Sequence, residues 1–268
     1  MTDKANGISV LLASQNAVRT VDLSVRSFLS FADEIICVDN GSTDGTVAIL
    51  ERLADDHPTV TFVNAPHVRH LYENRQLAYE RSRFRWVFRG DTDFICWTSG
   101  NRDIRHIRDL VMHYPQKARP VGFEFVGNYV VGDWRHTLPG RQVAKLGRRI
   151  YQDVPGMRFC RIGRHEAVQL PGRTDGQGWD RIRLPDIHIM HADVRPPLVR
   201  FLRAHRQMWR EQGFFAKYPT VEAYVREKYG EELGEVARRW AEHRDRELVP
   251  YTDEYPELVE RMLQAETK

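Results

Sequence analysis

Cysteine, excess charge and long apolar runs are all scarce in this sequence, and each scarcity excludes a class of protein. The 268 residues include three cysteines, Cys37, Cys96 and Cys160, which stand far apart. An odd number of widely separated cysteines does not build a disulfide framework, and no pair has metal-site spacing. The formal net charge is only +3. Such mild basicity suits anionic ligands but does not by itself predict nucleic-acid binding.

The chain also lacks membrane and export signals. No apolar run approaches the ~18 residues that a membrane-spanning helix requires. The first seven residues have neither the charged nor the apolar region of a signal peptide. Hydrophobic residues make up 41% and charged residues 29%, as in soluble globular proteins. We therefore expect a cytoplasmic protein with one large α/β domain and an appendage.

What the sequence does contain is a regular alternation of short apolar runs and helical patterns. Apolar, β-branched runs at residues 8–13, 34–38, 60–63 and 86–88 predict buried strands, and amphipathic stretches between them predict helices. This alternation predicts an α/β fold, in which a largely parallel sheet has helices on both faces. In such sheets ligands bind beyond the carboxyl ends of the strands.

Acidic residues stand at two of those predicted strand ends. Asp39 opens a Gly-punctuated loop, residues 39–45, and Asp91 and Asp93 follow the fourth strand. Residues i and i+2 of an extended chain point to the same side, so Asp91 and Asp93 can face one target. Paired carboxylates suit Mg²⁺ or Mn²⁺. A solvated turn at residues 91–93 and a loop cap at Asp39 are the alternatives.

The second half of the chain has a different pattern. Strand-like pieces occur at residues 121–126, 149–151, 167–170 and 185–191, within a region rich in Gly, Pro and Arg. From residue 196 the chain is helical and charged, so we expect a catalytic domain over residues 1–195 and a helical extension over residues 196–268. Arg200 and Arg203 lie among Phe201 and Trp209. Such helices either pack on a protein body with solvated arginines, or contact an anionic membrane surface or a polyanion.

Four blocks of this sequence resemble the family 2 glycosyltransferases, which have the nucleotide-diphospho-sugar transferase (GT-A) fold. The resemblance implies a mixed sheet with helices on both faces. The blocks are Ile8–Asn16; Glu34–Thr46; Asn74-Arg75 with Trp86 and Asp91-Thr92-Asp93; and Arg149-Ile150-Tyr151 with Gly163–Glu166. The fourth block and His191 are similar to the lipopolysaccharide-core-type branch. The resemblance covers about residues 7–210. Two departures are Ala13-Ser14-Gln15 in place of Pro-Thr-Tyr, and Asn40 in place of an aspartate.

The resemblance implies a metal-dependent, inverting transfer of a sugar from a nucleotide-diphosphate sugar, a UDP-sugar by preference, to a hydroxyl acceptor. The implied cofactor is Mn²⁺ or Mg²⁺. Asp93, assisted by Asp91, would hold the cation and offset the charge of the leaving diphosphate. His191 is the expected further ligand, and His188 is its rival.

The resemblance also implies a set of binding residues and a base. The residues expected to bind the nucleotide-sugar are Ala13, Gln15, Asp39, Asn74, Arg75 and Asp91. Glu166 is the expected base for the acceptor hydroxyl, and its alternative role is a salt bridge to a neighbouring arginine. Two other functions stay open. A nucleotidyltransferase needs a Gly-rich loop after the first strand, which residues 13–16 do not supply, and a non-catalytic sugar-nucleotide or nucleic-acid binding module would bind without turnover.

Overall fold

The computed structural model describes residues 4–115, 119–163, 165–173, 177–211, 217–230 and 232–267. Its contacts divide the chain into two compact units. Unit 1 comprises Met1–Tyr129, Val143–Ala192 and Asp253–Lys268, and unit 2 comprises Val130–Gln142 and Asp193–Thr252. In this division residues 130–142 fall in unit 2 and residues 253–268 fall in unit 1, and the expected catalytic domain and helical extension stay a prediction.

Unit 1 is built on an eight-stranded sheet in the order β3-β2-β1-β4-β8-β6-β11-β5. The strands are β1 Ala5–Ser14, β2 Glu34–Asp39, β3 Val60–Asn64, β4 Phe84–Asp91, β5 Phe94–Cys96, β6 Val121–Val131, β8 Ala144–Gln152 and β11 Asp180–Asp193. Strands β3, β2, β1 and β4 pair in parallel, whereas β8 is antiparallel to both β4 and β6. A separate hairpin joins β9 Arg158–Ile162 to β10 His165–Gln169.

Both faces of this sheet are covered. The helices of unit 1 are α1 Val21–Phe28, α2 Thr46–Asp56, α3 Leu71–Tyr79, α4 Arg105–Met112 and α8 Glu257–Glu266. Side chains alternate along β1, so Val10 and Leu12 join one buried cluster, with residues of α1, α2 and α4. Leu11 joins the opposite cluster with Val87 and Tyr151, beneath α3 and the β9–β10 hairpin. The predicted α/β class, with a mixed sheet and helices on both faces, is confirmed.

Unit 2 has its own small core. Its helices are α5 Pro197–Glu211, α6 Val221–Tyr229 and α7 Leu233–Asp245, and its strands are β7 His136–Thr137 and β12 Val249–Pro250. Phe201, Val225 and Ala237 are buried where the three helices meet. Arg200 donates to Asp245 at 2.7 and 2.9 Å, and Arg203 lies 3.7 Å from Asp193. These two arginines therefore have acidic partners within unit 2.

Several local predictions need correction. Helical spacing of Ile107, Leu110 and Val111 predicts that all three are buried, but Leu110 is 43% exposed, because α4 buries the side of the helix that carries the other two. Strands β5 and β9 were not predicted, because β5 has only three residues and β9 contains two arginines that interrupt its apolar pattern. Among the described residues, no helix is long and apolar enough to cross a membrane.

Candidate active site

The parallel register brings the predicted acidic residues to one edge of the sheet. Ala13 on β1 is paired with Val38 on β2 and with Asp91 on β4, and Ser14 is paired with Asp39. Asp39 and Asp91 therefore lie on either side of the carboxyl end of β1. The edge where sequence analysis expected a ligand is thus lined by carboxylates from two different strands.

Asp39 is fully buried and organises the loop that follows it. Its Oδ1 accepts the backbone N–H groups of Gly41 at 3.0 Å and Ser42 at 2.7 Å, and its Oδ2 accepts the Ser42 hydroxyl at 2.5 Å. Gly41 has a φ of 95°, which favours glycine and lets the loop close onto the carboxylate. Asp39 therefore caps its loop in this structure, whereas its expected contact to a nucleotide stays a prediction.

The two other residues expected near the first strand lie at the same edge. The Ala13 carbonyl accepts the backbone N–H of Thr92 at 3.2 Å and its hydroxyl at 3.3 Å. The Gln15 amide donates to the carbonyl of Asn40 at 3.2 Å and is partly exposed. Ala13 thus ties β1 to the segment between Asp91 and Asp93, and its role toward a nucleotide stays a prediction.

Helix α3 sends two buried polar side chains toward the sheet. Asn74 donates to the carbonyl of Val38 at 3.0 Å, which fixes α3 on β2. Arg75, only 2% exposed, donates to the Gly90 carbonyl and lies 2.7 Å from Asp91 Oδ1. The Nε of Arg75 contacts Glu166 Oε1. Burial by itself lowers the pKa of Arg75, but the charges of Asp91 and Glu166 outweigh it and raise that pKa above its ordinary value.

Glu166, on β10, is therefore held in an ion pair. Its side chain is 16% exposed, and its second oxygen lies 3.9 Å from Arg89. The pairing with Arg75 is the salt bridge that sequence analysis kept as the alternative to a catalytic role. One carboxylate oxygen nevertheless has only that distant arginine as a described partner. The role of Glu166 as a base stays a prediction. Arg164, beside it in the sequence, lies outside the described residues.

Two further arginines, Arg89 and Arg149, lie near Glu166 and Asp91, and sequence analysis did not name them as site residues. Arg149 Nη1 lies 3.9 Å from Asp91 Oδ2, and its guanidinium lies 4.6 Å from the Phe94 ring centre. Burial first, and then the charge of Arg89, lowers the pKa of Arg149 to about 10. We call Arg75, Arg89 and Arg149 the Asp91 arginine group. One feature of the sequence could have predicted this group, since Arg89 lies two residues before Asp91 and therefore on the same face of the strand.

Asp93 and His191 meet at the turn that follows β4. Asp93 is fully buried, and its Oδ2 lies 3.3 Å from Nε2 of His191, which is paired with Phe94 between β11 and β5. His188, the predicted rival, is directed elsewhere: its Nδ1 lies 2.8 Å from the Arg102 carbonyl. Burial, which outweighs that hydrogen bond, lowers the pKa of His188. Of the two histidines, His191 is the one beside Asp93.

These residues fit a divalent cation in part. A carboxylate oxygen and an imidazole nitrogen 3.3 Å apart can bind one Mn²⁺ or Mg²⁺ ion after a small adjustment. One oxygen of Asp91, by contrast, is bound to Arg75. Within the described residues, no group of three His, Cys, Asp or Glu side chains is arranged to hold a metal ion. Asp93 and His191 would therefore need phosphate oxygens or water as further ligands.

Comparison with known proteins agrees with this fold. The sequence model of the family described as Glycosyl transferase family 2 matches residues 9–98. The matched segment includes Asp39, Arg75 and the Asp91–Asp93 turn. It does not reach residues 149–166, so the resemblance to the lipopolysaccharide-core-type branch stays a prediction. No curated protein has significant sequence similarity to the chain.

Solved structures give distant similarities only. S. aureus TarS 1–349 in complex with UDP-GlcNAc is 13% identical, with a TM-score of 0.46 over 69% of this chain and 58% of that one. Mannosyltransferase PcManGT from Pyrobaculum calidifontis, in complex with GDP-Man and Mn²⁺, is 13% identical, with a TM-score of 0.43 over 99% and 82%. The chain spans 36% to 64% of the length of the TarS structures that it matches.

Proposed function

We propose that this protein is a metal-dependent, inverting glycosyltransferase that moves a sugar from a nucleotide-diphosphate sugar to a hydroxyl acceptor. A UDP-sugar is the preferred donor. The observation that carries the proposal is the meeting of Asp93, His191 and the Asp91 arginine group at the carboxyl ends of the strands. Asp93, Arg75 and Arg89 lie within the segment that matches the family 2 model, and Arg149 and His191 lie outside it. Carboxylate, imidazole and guanidinium groups together suit a metal-bound diphosphate.

The chemical requirement is to stabilise the departing nucleoside diphosphate. Asp93 and His191 would hold a Mn²⁺ or Mg²⁺ ion, which supplies positive charge against the leaving phosphates. Arg149 and Arg75 add fixed cations on the same side, and they are already oriented by Asp91. Groups held in place before the reaction need no reorganisation as charge develops. Asp91 therefore acts in this proposal mainly by positioning arginines, with its second oxygen directed toward Arg149.

Inversion requires a base on the acceptor side. In our proposal Glu166 takes the proton of the acceptor hydroxyl as that oxygen attacks the anomeric carbon, which breaks the bond to the diphosphate. Arg75 fixes one oxygen of Glu166, and the other oxygen accepts the proton. The residues proposed to bind the nucleotide-sugar are Ala13, Gln15, Asp39, Asn74, Arg75 and Asp91. For Asp39 this requires its loop bonds to loosen when the nucleotide binds.

A panel of nucleotide-sugars tests the proposal. The protein is first mixed with each donor and Mn²⁺, and the melting temperature is recorded, because a ligand that binds the folded state raises it. Donors that shift the melting temperature are then incubated with candidate hydroxyl acceptors, with and without EDTA. We expect release of nucleoside diphosphate together with a glycosylated product, and loss of both in EDTA. Full activity in EDTA would contradict the metal-dependent mechanism.

The same experiment separates the alternatives. A nucleotidyltransferase would release or consume pyrophosphate rather than nucleoside diphosphate. A binding module would raise the melting temperature with a donor and yield no product with any acceptor. Contact of the basic α5 helix with a membrane surface or polyanion is a separate proposal, and binding to anionic vesicles would test it.

A further inference from the structure

A second group of arginines lies on the same sheet, around Glu124. Arg181 and Arg183 on β11 lie 3.7 and 3.6 Å from the two carboxylate oxygens of Glu124 on β6. Arg148 on β8 pairs with Glu124 in register, and its guanidinium lies 5.7 Å from the ring centres of Tyr151 and Trp179. We call Arg148, Arg181 and Arg183 the Glu124 arginine group. It contains three cations and one described carboxylate partner.

An irregularity in strand β8 places two adjacent arginines in different arginine groups. Phe123 pairs with Ile150, but the next residue, Glu124, pairs with Arg148, so Arg149 is an extra residue in β8. In a regular strand adjacent side chains point to opposite faces of the sheet. A bulge changes that direction, and bulges of this kind are common beside active sites. Arg148 and Arg149 are adjacent in β8, and each belongs to a different arginine group.

One buried nitrogen on each of three arginines of the two groups has no hydrogen-bond partner among the described residues. The buried Nε atoms of Arg89, Arg148 and Arg149 have none among the residues that the structure describes. Burial lowers the pKa of Arg148, and the charge of Arg181 lowers it further, although Tyr151 acts in the opposite direction. Burying cations whose N–H groups are not satisfied costs free energy unless a ligand pairs with them. An anion in this region would remove that cost.

One donor cannot readily satisfy both groups. Three arginines against Asp91 and Glu166 leave one positive charge in the Asp91 arginine group, and three arginines against Glu124 leave two in the other. A nucleotide-sugar carries its charge in a single diphosphate. The Asp91 arginine group lies beside Asp93 and His191, where the proposed function places that diphosphate. The Glu124 arginine group can therefore bind an anion other than the donor diphosphate.

We infer that the acceptor carries an oxyanion, a phosphate or a carboxylate, and that the Glu124 arginine group binds it. The inference rests on the proposed function, which supplies the donor, and goes further by assigning a chemical class to the acceptor. Arginine suits this role because its planar fork pairs with both phosphate and carboxylate oxygens. Arg148 adjoins Arg149 in β8, and Arg89 of the Asp91 arginine group lies 3.9 Å from Glu166, so an acceptor bound at Arg148 would lie near the proposed base.

Binding of matched sugars tests this assignment. The protein is saturated with nucleoside diphosphate and Mn²⁺ and is then titrated calorimetrically with glucose, glucose 6-phosphate or glucuronate. We expect at least one of the two anionic sugars to bind about tenfold or more tightly than glucose, as charge-assisted hydrogen bonds provide. The phosphate and carboxylate arms show which oxyanion is preferred. Equal affinity for all three sugars would overturn the inference.

Charge-reversal variants test whether the anionic sugar binds at the Glu124 arginine group. Arg181 and Arg183 are 47% and 80% exposed at their side chains, so Arg181→Glu with Arg183→Glu should fold normally. We expect this pair to weaken binding of the anionic sugar about tenfold or more. The control, Arg226→Glu with Lys228→Glu, makes the same charge change at two exposed positions of α6 and should leave that affinity within about twofold. Melting temperatures of both pairs verify folding.

The remaining outcomes distinguish this inference from the proposed function. If the control pair weakens binding as much as the Arg181 and Arg183 pair, the effect comes from overall charge and the inference is wrong. If glucose 6-phosphate binds only when nucleotide is absent, the Glu124 arginine group belongs to the donor site. Nucleoside diphosphate binding is measured first and separately. Its absence would contradict the proposed function, whereas its presence without selective anionic-sugar binding contradicts only this inference.

Discussion

Arg75 Nη2 lies 2.7 Å from Asp91 Oδ1, and this ion pair joins helix α3 to the carboxyl end of strand β4. Arg75 is 2% exposed at its side chain and Asp91 is 22% exposed. The Asp91 carboxylate is therefore paired with a buried cation. The two aspartates, which sequence analysis treated as partners on one metal, have different surroundings, and this difference leads to the first two predictions.

Arg75→Met should destabilise the protein strongly. Removing the guanidinium leaves the carboxylates of Asp91 and Glu166 without their main partner, and breaking such a buried pair typically costs about 3–5 kcal/mol. The free energy of unfolding in urea measures the loss. Arg26→Met is the control, because Arg26 and Asp22 are each about one-third exposed, and it should cost less than about 1 kcal/mol. Similar losses in both variants would mean that Arg75 acts only through its apolar stem.

Asp93→Asn and Asp91→Asn should affect Mn²⁺ differently. Asp93 adjoins His191 at 3.3 Å, whereas Asp91 adjoins arginines, so the first variant should weaken Mn²⁺ binding about tenfold or more and the second much less. Electron paramagnetic resonance of free Mn²⁺, in the presence of nucleoside diphosphate, gives both affinities. His191→Ala should behave like Asp93→Asn. Equal weakening in the two aspartate variants would show that both carboxylates bind the ion.

Asp39→Ala should loosen its loop and lower stability by about 2–4 kcal/mol, because the carboxylate accepts three hydrogen bonds there. Asp44→Ala is a matched control. Asp44 lies in the same loop and accepts the Thr46 backbone N–H at 3.2 Å and hydroxyl at 2.5 Å. Calorimetry with nucleoside diphosphate separates loop order from direct contact. A direct role for Asp39 predicts weaker affinity in Asp39→Ala alone, and equal affinities in the two variants would leave Asp39 as a loop cap.

Glu166→Gln should lower the rate of transfer by roughly 10²-fold or more while leaving donor affinity nearly unchanged, because the amide keeps the size of the side chain but cannot take a proton. Glu34→Gln is the control. Glu34 is also buried and paired with an arginine, Arg83 at 2.7 Å, but at the amino end of β2. Both variants should lose some stability, and only Glu166→Gln should lose turnover. Unchanged turnover in the folded fraction of Glu166→Gln would identify Glu166 as a structural ion pair.

Stability should depend on the ionisation of Glu257. Burial by itself raises the pKa of Glu257, but hydrogen bonds from Ser99 and Thr98 outweigh it and hold that pKa below its ordinary value of 4.5. A carboxylate with a lowered pKa in the folded state stabilises the fold above the unfolded pKa, and this contribution is lost as pH falls through the folded pKa. The effect of Glu257→Gln on the free energy of unfolding should therefore be constant above about pH 5.5 and shrink below about pH 4.5.

Urea unfolding between pH 3.5 and pH 7 measures that dependence. Glu260→Gln is the control, because Glu260 is exposed on the next turn of α8 and should show little dependence on pH. A constant difference between Glu257→Gln and the unaltered protein across the whole range would contradict the role assigned to the Glu257 carboxylate.

The sequence contained enough to predict the sheet and its acidic edge, because strand periodicity and the loop after Asp39 are local signals. Register then brings Asp39 and Asp91 to either side of β1, as the parallel-sheet rule implies. The Glu124 arginine group could not be predicted. Arg148 and Arg183 stand 35 positions apart, and their proximity depends on the bulge at Arg149 and on the pairing of β8, β6 and β11. Pairing between distant strands has no local signature.

The order of the two units along the chain has a consequence for biosynthesis. Residues 193–252 of unit 2 leave the ribosome before residues 253–268, which belong to unit 1. Unit 2 is thus synthesised in full before unit 1 is complete. Unit 1 must wait for Glu257, whose carboxylate accepts the backbone N–H of Thr98 at 2.9 Å. A fragment that ends at residue 252 would contain all of unit 2 and would lack this contact within unit 1.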